Sequence, residues 1–236
     1  MGRILYVRHG QASLFSDNYD QLSPLGKKQA VAVGQFLAKE NIKIDSLYSG
    51  PLHRHHQTVE GILEGMKSSI PYEELEGLRE HQGYTTLKKL LPELVQQDEQ
   101  IKELVNRPWD SKSDQIKHHI RIYEHFSLRW ANGEFDHMIN GSFQSWKTFE
   151  HNASEAYTNI CKESASGKTT LVVTSGGPKA VACGRALDLS LEKIMHASWV
   201  IYNCSISEFL TGDNRYTLSS FNNISFLEDK SSRTLV

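Results

Sequence analysis

The sequence predicts an α/β fold built on a mostly parallel sheet, and three observations carry that prediction. The opening segment RILYVR is apolar on both faces, as a strand covered by helices on either side must be. Strand-like and helix-like segments then alternate, the pattern of parallel strands joined by crossover helices. After an interruption in the middle of the chain, the same alternation resumes.

Residues 3–8 form the first predicted strand. A loop rich in Ser, Asp, Asn and Gln follows to about residue 22. SPLGKKQAVAVGQFLAKE reads as a helix with Ser23 as N-cap, Pro24 in the first turn, and Ala30, Val33, Phe36 and Leu37 along one face. IDSLYSG is a second strand, and PLHRHHQTVEGILEGM a second helix opened by Pro51. From Tyr84 to about Trp146 the pattern turns wholly helical, which predicts a helical insertion over 84–145 within a single domain of 1–236. In it, Ile116, His119, Ile120 and Tyr123 fall on one face, making His119 a packed core histidine in expectation, and Trp109 is expected to pack in a loop. A helix over 146–164, the strand TTLVVTS, the helix PKAVACGRAL and the strands WVIYNCSISEFL and YTLSSFN complete the chain. The closeness of the last two allows an antiparallel edge strand, and the tail EDKSSRTLV is expected to be loose.

Composition narrows the function. At 236 residues the chain can bury a core without disulfide or metal staples. Its 26 basic and 28 acidic residues give a formal charge of −2 and leave no basic face for nucleic acid or a membrane surface. Three cysteines without a CxxC spacing fit reduced thiols and no structural disulfide. With no apolar run of spanning length and no long apolar leader, a soluble cytoplasmic protein is expected.

In open α/β sheets, ligands bind outside the carboxyl ends of the strands. Arg8 and His9 lie at one such end, and Gly176, Gly177 and Pro178 lie at another, where a helix N-terminus favours an anion. Arg54 falls in the first turn of the second helix, where a cation opposes the helix dipole and is better explained by an anionic ligand. Two arginines around a histidine suit phosphoryl transfer: guanidinium forks hold the equatorial oxygens while a neutral imidazole attacks phosphorus in line. On spacing alone, a strand end merely facing solvent fits the Arg8-His9 pair as well.

Taken together, the segments LYVRHGQ, DQLSPLGKKQA, LYSGPLHRHHQTVE, LREHQG and LVVTSGGP resemble, in this order, the signature segments of the histidine phosphatase superfamily, which includes the cofactor-dependent phosphoglycerate mutases. The family patterns in question are D.LT..G..QA, SPL.R..QTA, L.E...G and V.HGG. The resemblance implies a three-layer α/β/α sandwich with a helical cap over the pocket. It implies that His9 accepts the phosphoryl group, that Arg8 and Arg54 hold its oxygens, and that Glu80 gives a proton to the leaving oxygen. Gly10, Gln11, Ser16 and Gly176 would line the substrate site, with Gly10 permitting close approach.

The sequence departs from the family at two points. Ser175 stands where the second histidine belongs, and losing one preorganised donor costs roughly a hundredfold to a thousandfold in rate. His53 and His81 are the candidates to compensate. Phe15 stands where family phosphatases often have asparagine, with Ser16, Asp17 or Asn18 as substitutes.

Other signals point nowhere. SASGKTT imitates a phosphate-binding Walker loop, but it precedes a strand and has Lys162 in place of the first glycine. HRHH lacks metal-ligand spacing, because His55 leaves the face shared by His53 and His56, so neither metal nor cofactor is expected. The reading is therefore a phosphohydrolase acting on a small-molecule phosphate ester through a phosphohistidine on His9. The alternatives are a phosphate-binding or interaction protein attenuated by Ser175, and a cofactor-dependent mutase. A homodimer is compatible with the resemblance.

Overall fold

The computed structural model describes residues 1–13, 20–139, 141, 143–164, 167–212 and 215–235. In chain order the strands are β1 (Gly2–Arg8), β2 (Ser46–Ser49), β3 (Glu73–Glu74), β4 (Thr169–Thr174), β5 (Ile206–Gly212) and β6 (Arg215–Asn223). The helices are α1 (Pro24–Lys39), α2 (His53–Met66), α3 (Gly83–Gln97), α4 (Glu99–Asn106), α5 (Lys112–Ala131), α6 (Asp136–Ile139), α7 (Trp146–Ser164), α8 (Gly176–Leu187) and α9 (Leu191–Trp199). The chain forms two compact units, one of residues 1–80 and 152–236 and the other of residues 81–151.

The first unit holds a six-stranded sheet in the order β3-β2-β4-β1-β5-β6. β1, β2, β3 and β4 run parallel, whereas β5 is antiparallel to β1 and β6 antiparallel to β5. Alternation along the strands sorts the core into two layers. Leu5, Val7, Leu47, Leu171 and Val173 pack with Ala30, Val33 and Leu37 of α1 and with Val59 and Ile62 of α2. On the opposite face, Ile4, Tyr6, Val172 and Phe209 pack with Tyr157 and Ile160 of α7 and with Ala182 and Cys183 of α8. This is the α/β/α sandwich of the sequence reading, with β1 and β4 central and therefore closed to solvent on both faces.

Local signals account for most boundaries. Ser23 caps α1 by accepting the Gly26 amide, with Pro24 next in line. The stretch read as the strand WVIYNCSISEFL behaves differently. Ser190 caps α9 through the Lys193 amide, the helix runs to Trp199, and β5 starts only at Ile206. Cys204 adopts a left-handed conformation at φ 56°, which turns the chain before the strand can begin.

The second unit is helical, running from His81 to His151, a few residues beyond 84–145 at each end. Ile122, Phe126 and Trp130 of α5 are buried with Leu90 and Leu94 of α3 and Ile101 of α4. The expected α5 face is overturned: Ile116 and Ile120 are nearly half exposed and His119 is exposed, while His118 takes the buried position. The buried series along α5 is 118, 122, 126 and 130. Trp109 is likewise nearly half exposed, its ring beside those of His118 and His119.

The tail also departs from expectation. Asp229 caps a short 3-10 turn at Lys230–Ser232, and the following residues are bonded back to the first unit. Gln29 Nε2 donates to the Ser232 carbonyl at 2.7 Å, and Asn203 N–H donates to the Thr234 carbonyl at 2.8 Å. Among the described residues, no helix is long and apolar enough to cross a membrane.

Candidate active site

The site lies in the first unit, at the carboxyl ends of β1, β2 and β4. β1 ends at Arg8, so His9 leaves the sheet at its centre and is 4% exposed. The His9 Nδ1 is 2.7 Å from the Gly10 carbonyl oxygen, which only accepts, so Nδ1 carries the proton and Nε2 carries the lone pair. Arg54 Nε–H donates to that Nε2 at 3.2 Å. Burial first, then the cationic Arg54 and Arg8, holds the His9 imidazole well below the ordinary histidine range, so it is neutral.

Arg54 is set by a residue the sequence reading left unassigned. The Asp20 carboxylate accepts from the His53 amide at 2.9 Å, from the Arg54 amide at 3.3 Å and from Arg54 Nη1 at 2.9 Å. Asp20 thus caps α2, whose own N-cap Leu52 has no side-chain acceptor, and orients the guanidinium in the same stroke. The signal was present: Asp20 opens the DQLSPLGKKQA segment. Thr58, one turn on, accepts from the Gly10 amide at 3.1 Å and donates to the Arg54 carbonyl at 2.7 Å, tying α2 to the end of β1.

Arg8 turns its Nη1 away to backbone carbonyls, donating to Leu235 at 2.6 Å and also to Ile201. Its Nε lies near Gly176, where an added Cβ would sit 3.8 Å from both Arg8 Nε and Glu80 Oε2. Gly176 therefore lies where an arginine and a carboxylate converge, with the Ser198 carbonyl oxygen 3.4 Å from the same added Cβ. Glu80 accepts the Gly177 amide on its two oxygens at 3.2 and 3.3 Å, at the N-terminus of α8. A Cβ on Gly10 would lie 2.4 Å from the Gly26 carbonyl oxygen, so the glycine lets the chain just after β1 pass close to α1. Gln11 is likewise engaged with α1, accepting at Oε1 from Ser23 Oγ at 2.8 Å and donating its amide to Gln29 Oε1 at 2.8 Å. Ser16, with Phe15, Asp17 and Asn18, lies outside the described residues.

Ser175 is fully buried, and its Oγ is 2.7 Å from His55 Nε2. Neither compensating candidate makes that contact. His53 is exposed, and His81 packs against Trp130, Trp146 and Phe149 in the second unit. The remaining member of HRHH, His56, pairs with Glu74 at 2.9 Å. Asn203 completes the floor, its Nδ2 donating to the His9 carbonyl at 3.2 Å.

The sequence pattern of the histidine phosphatase superfamily (branch 1) matches residues 4–110 and 82–224. The chain belongs to the histidine phosphatase superfamily. Solved structures agree with this histidine phosphatase fold. A phosphoglycerate mutase from Bacillus anthracis str. Sterne is similar at a TM-score of 0.64 with 17% identity, covering 96% of this chain and 95% of its own. A phosphoserine phosphatase from Entamoeba histolytica, solved with phosphoserine, is similar at 0.59 with 20% identity, covering 96% and 100%. An alpha-ribazole phosphatase from Shigella flexneri follows at 0.61 with 16% identity, covering 94% and 96%. A sequence comparison with curated proteins finds no match. At these identities the neighbours speak for the fold, and this histidine phosphatase superfamily member must be read for activity from its own site.

Proposed function

We propose that the protein is a phosphomonoesterase that works through a phosphohistidine on His9. The observation that carries this reading is the His9 imidazole, neutral, buried, fixed as the Nδ1–H tautomer by Gly10 and flanked by Arg54. When a phosphate monoester enters, its dianionic oxygens compete for the Arg54 N–H that rests on Nε2. The lone pair is then exposed to phosphorus. His9 Nε2 forms the P–N bond as the P–O bond to the alcohol breaks, and Glu80 supplies the proton that the leaving oxygen takes. Water then attacks the phosphohistidine with Glu80 accepting its proton, releasing inorganic phosphate and restoring neutral His9. Arg8 and Arg54 hold the charge that spreads over the phosphoryl oxygens.

The binding-protein and mutase alternatives receive no specific support from this geometry. A module that merely holds phosphate gains nothing from a buried imidazole fixed in one tautomer. The test is phosphate release from an aryl phosphate at mildly acidic to neutral pH, together with an alkaline denaturing quench to trap an acid-labile, base-stable phosphoryl label on the protein. Turnover and label that both vanish in His9→Ala are the expected result. Turnover that survives His9→Ala overturns the reading.

A further inference from the structure

Ser175 stands at the N-cap of α8, where a serine oxygen ordinarily accepts the amide of the second or third helical residue. Here it makes no capping bond. The second residue, Gly177, gives its N–H to Glu80, and the third, Pro178, has none to give. The Ser175 hydroxyl is thereby released from helix capping and meets His55 Nε2 at 2.7 Å, with both side chains fully buried. The His55 ring centroid is 5.7 Å from that of His9, which places the pair beside the phosphoryl site.

Room for this imidazole is made by a third position. A Cβ on Gly50 would lie 2.3 Å from His55 Nδ1, so no larger residue at 50 is compatible with the ring where it stands. Gly50 occupies the place of the serine in the family segment SPL.R..QTA. The histidine at 55, the serine at 175 and the glycine at 50 thus form one arrangement: the imidazole comes from α2 in place of the end of β4, and the residue that would block it is absent.

Resting on the phosphohistidine reading above, we propose that His55 is a positioning residue that acts through Ser175. In this proposal His55 carries its proton on Nε2, whose N–H then donates to Ser175 Oγ and turns the hydroxyl proton to an oxygen of the transferred phosphoryl group. The pair together supplies the donor that the family resemblance assigns to a histidine at 175. Burial and the adjacent Arg54 keep the His55 ring neutral in the resting site, partly opposed by the Gly50 backbone. The site therefore avoids a third fixed cation beside Arg8 and Arg54 until an anion arrives.

The experiment compares wild type, His55→Ala, Ser175→Ala, the double alanine variant and the transposed variant His55→Ala/Ser175→His. It reads kcat and KM on an aryl phosphate, inhibition by orthovanadate, and Tm. Ser175→Ala removes one oxygen and guards against a folding failure of His55→Ala. Either single alanine should lower kcat roughly tenfold to a hundredfold and weaken vanadate inhibition, with KM changed far less. The double alanine variant should lose no more than the worse single, because the two residues act as one unit. The transposed variant should recover at least about tenfold over His55→Ala, a rescue that a packing role for His55 does not provide. With wild-type turnover dependent on His9, an unchanged kcat in Ser175→Ala, or losses that multiply in the double variant, overturns the pair. Absence of His9-dependent turnover in wild type instead overturns the phosphomonoesterase reading, and the pair's role with it.

Discussion

The chemistry of single side chains here is dominated by burial of groups that would be charged in water. His9 and His55 are both held well below the ordinary histidine value of about 6.5, first by burial and then by Arg54. Above pH ~6.5 the folded and unfolded chains are equally neutral at these sites, and the stabilisation of the neutral forms is complete. As pH falls below that value, the unfolded chain takes protons that the native site refuses, costing about 1.4 kcal/mol per pH unit for each group. Tm should therefore drop between pH 7 and pH 5, and His55→Gln should flatten that drop. Lys179 opens a second window. Fully buried, with Nζ donating to the Ser205 carbonyl at 2.6 Å and to its hydroxyl at 2.9 Å, it is pushed down to about 7 by burial. Between about pH 7 and the unfolded lysine value near ~10.4, only the unfolded chain holds the proton, so stability should rise with pH across that interval. Thermal melts from pH 7 to pH 9 check the sign, and a slope equal to wild type in Lys179→Met would contradict it.

At the scale of elements, α2 is the part of the fold that the site depends on most. It carries Arg54, His55 and Thr58, is capped by Asp20, and packs against α1 at close range. A Cβ on Gly34 of α1 would lie 2.0 Å from the Ile62 carbonyl of α2, so backbone meets backbone there. Gly34→Ala must push the two helices apart and should cost about 1–3 kcal/mol in urea unfolding. Lys27→Ala, on the exposed side of α1, should stay within about 0.5 kcal/mol of wild type. Much of this architecture was legible in the sequence, because β1, α1 and α7 announce themselves by apolar runs and caps. The rest was hidden for physical reasons. HRHH shows three histidines on one helix, and only the tertiary fold decides that His55 turns inward while His53 stays in water. In α5 the buried series includes polar His118, which a search for apolar periodicity discounts in favour of Ile116 and Ile120. The segment before β5 is rich in strand-forming residues, yet strand propensity yields to context. There α9 and the left-handed Cys204 prevail.

Across the whole molecule, sequence separation of more than 200 residues is bridged at the site by the C-terminal segment. Gln29 reaches Ser232 and Thr234, Asn203 is paired on both sides with Thr234, and Arg8 donates to Leu235. Thr234→Val keeps the shape but removes the hydroxyl that serves Gln29 Nε2 and the buried Asn203 Oδ1. Leaving such groups without their partner should cost about 1–3 kcal/mol, read as a lower urea midpoint. Arg8 thus has one amino group in the grip of the tail while its Nε lies near Gly176 and Glu80. Coupling through a shared residue is reciprocal. Under the proposed function, an anion held by Arg8 is felt as a change in how firmly residues 233–235 are held. A solvatochromic dye attached beside Leu235 would then act as an optical readout of occupancy, allowing candidate phosphate esters to be ranked without any need to observe turnover.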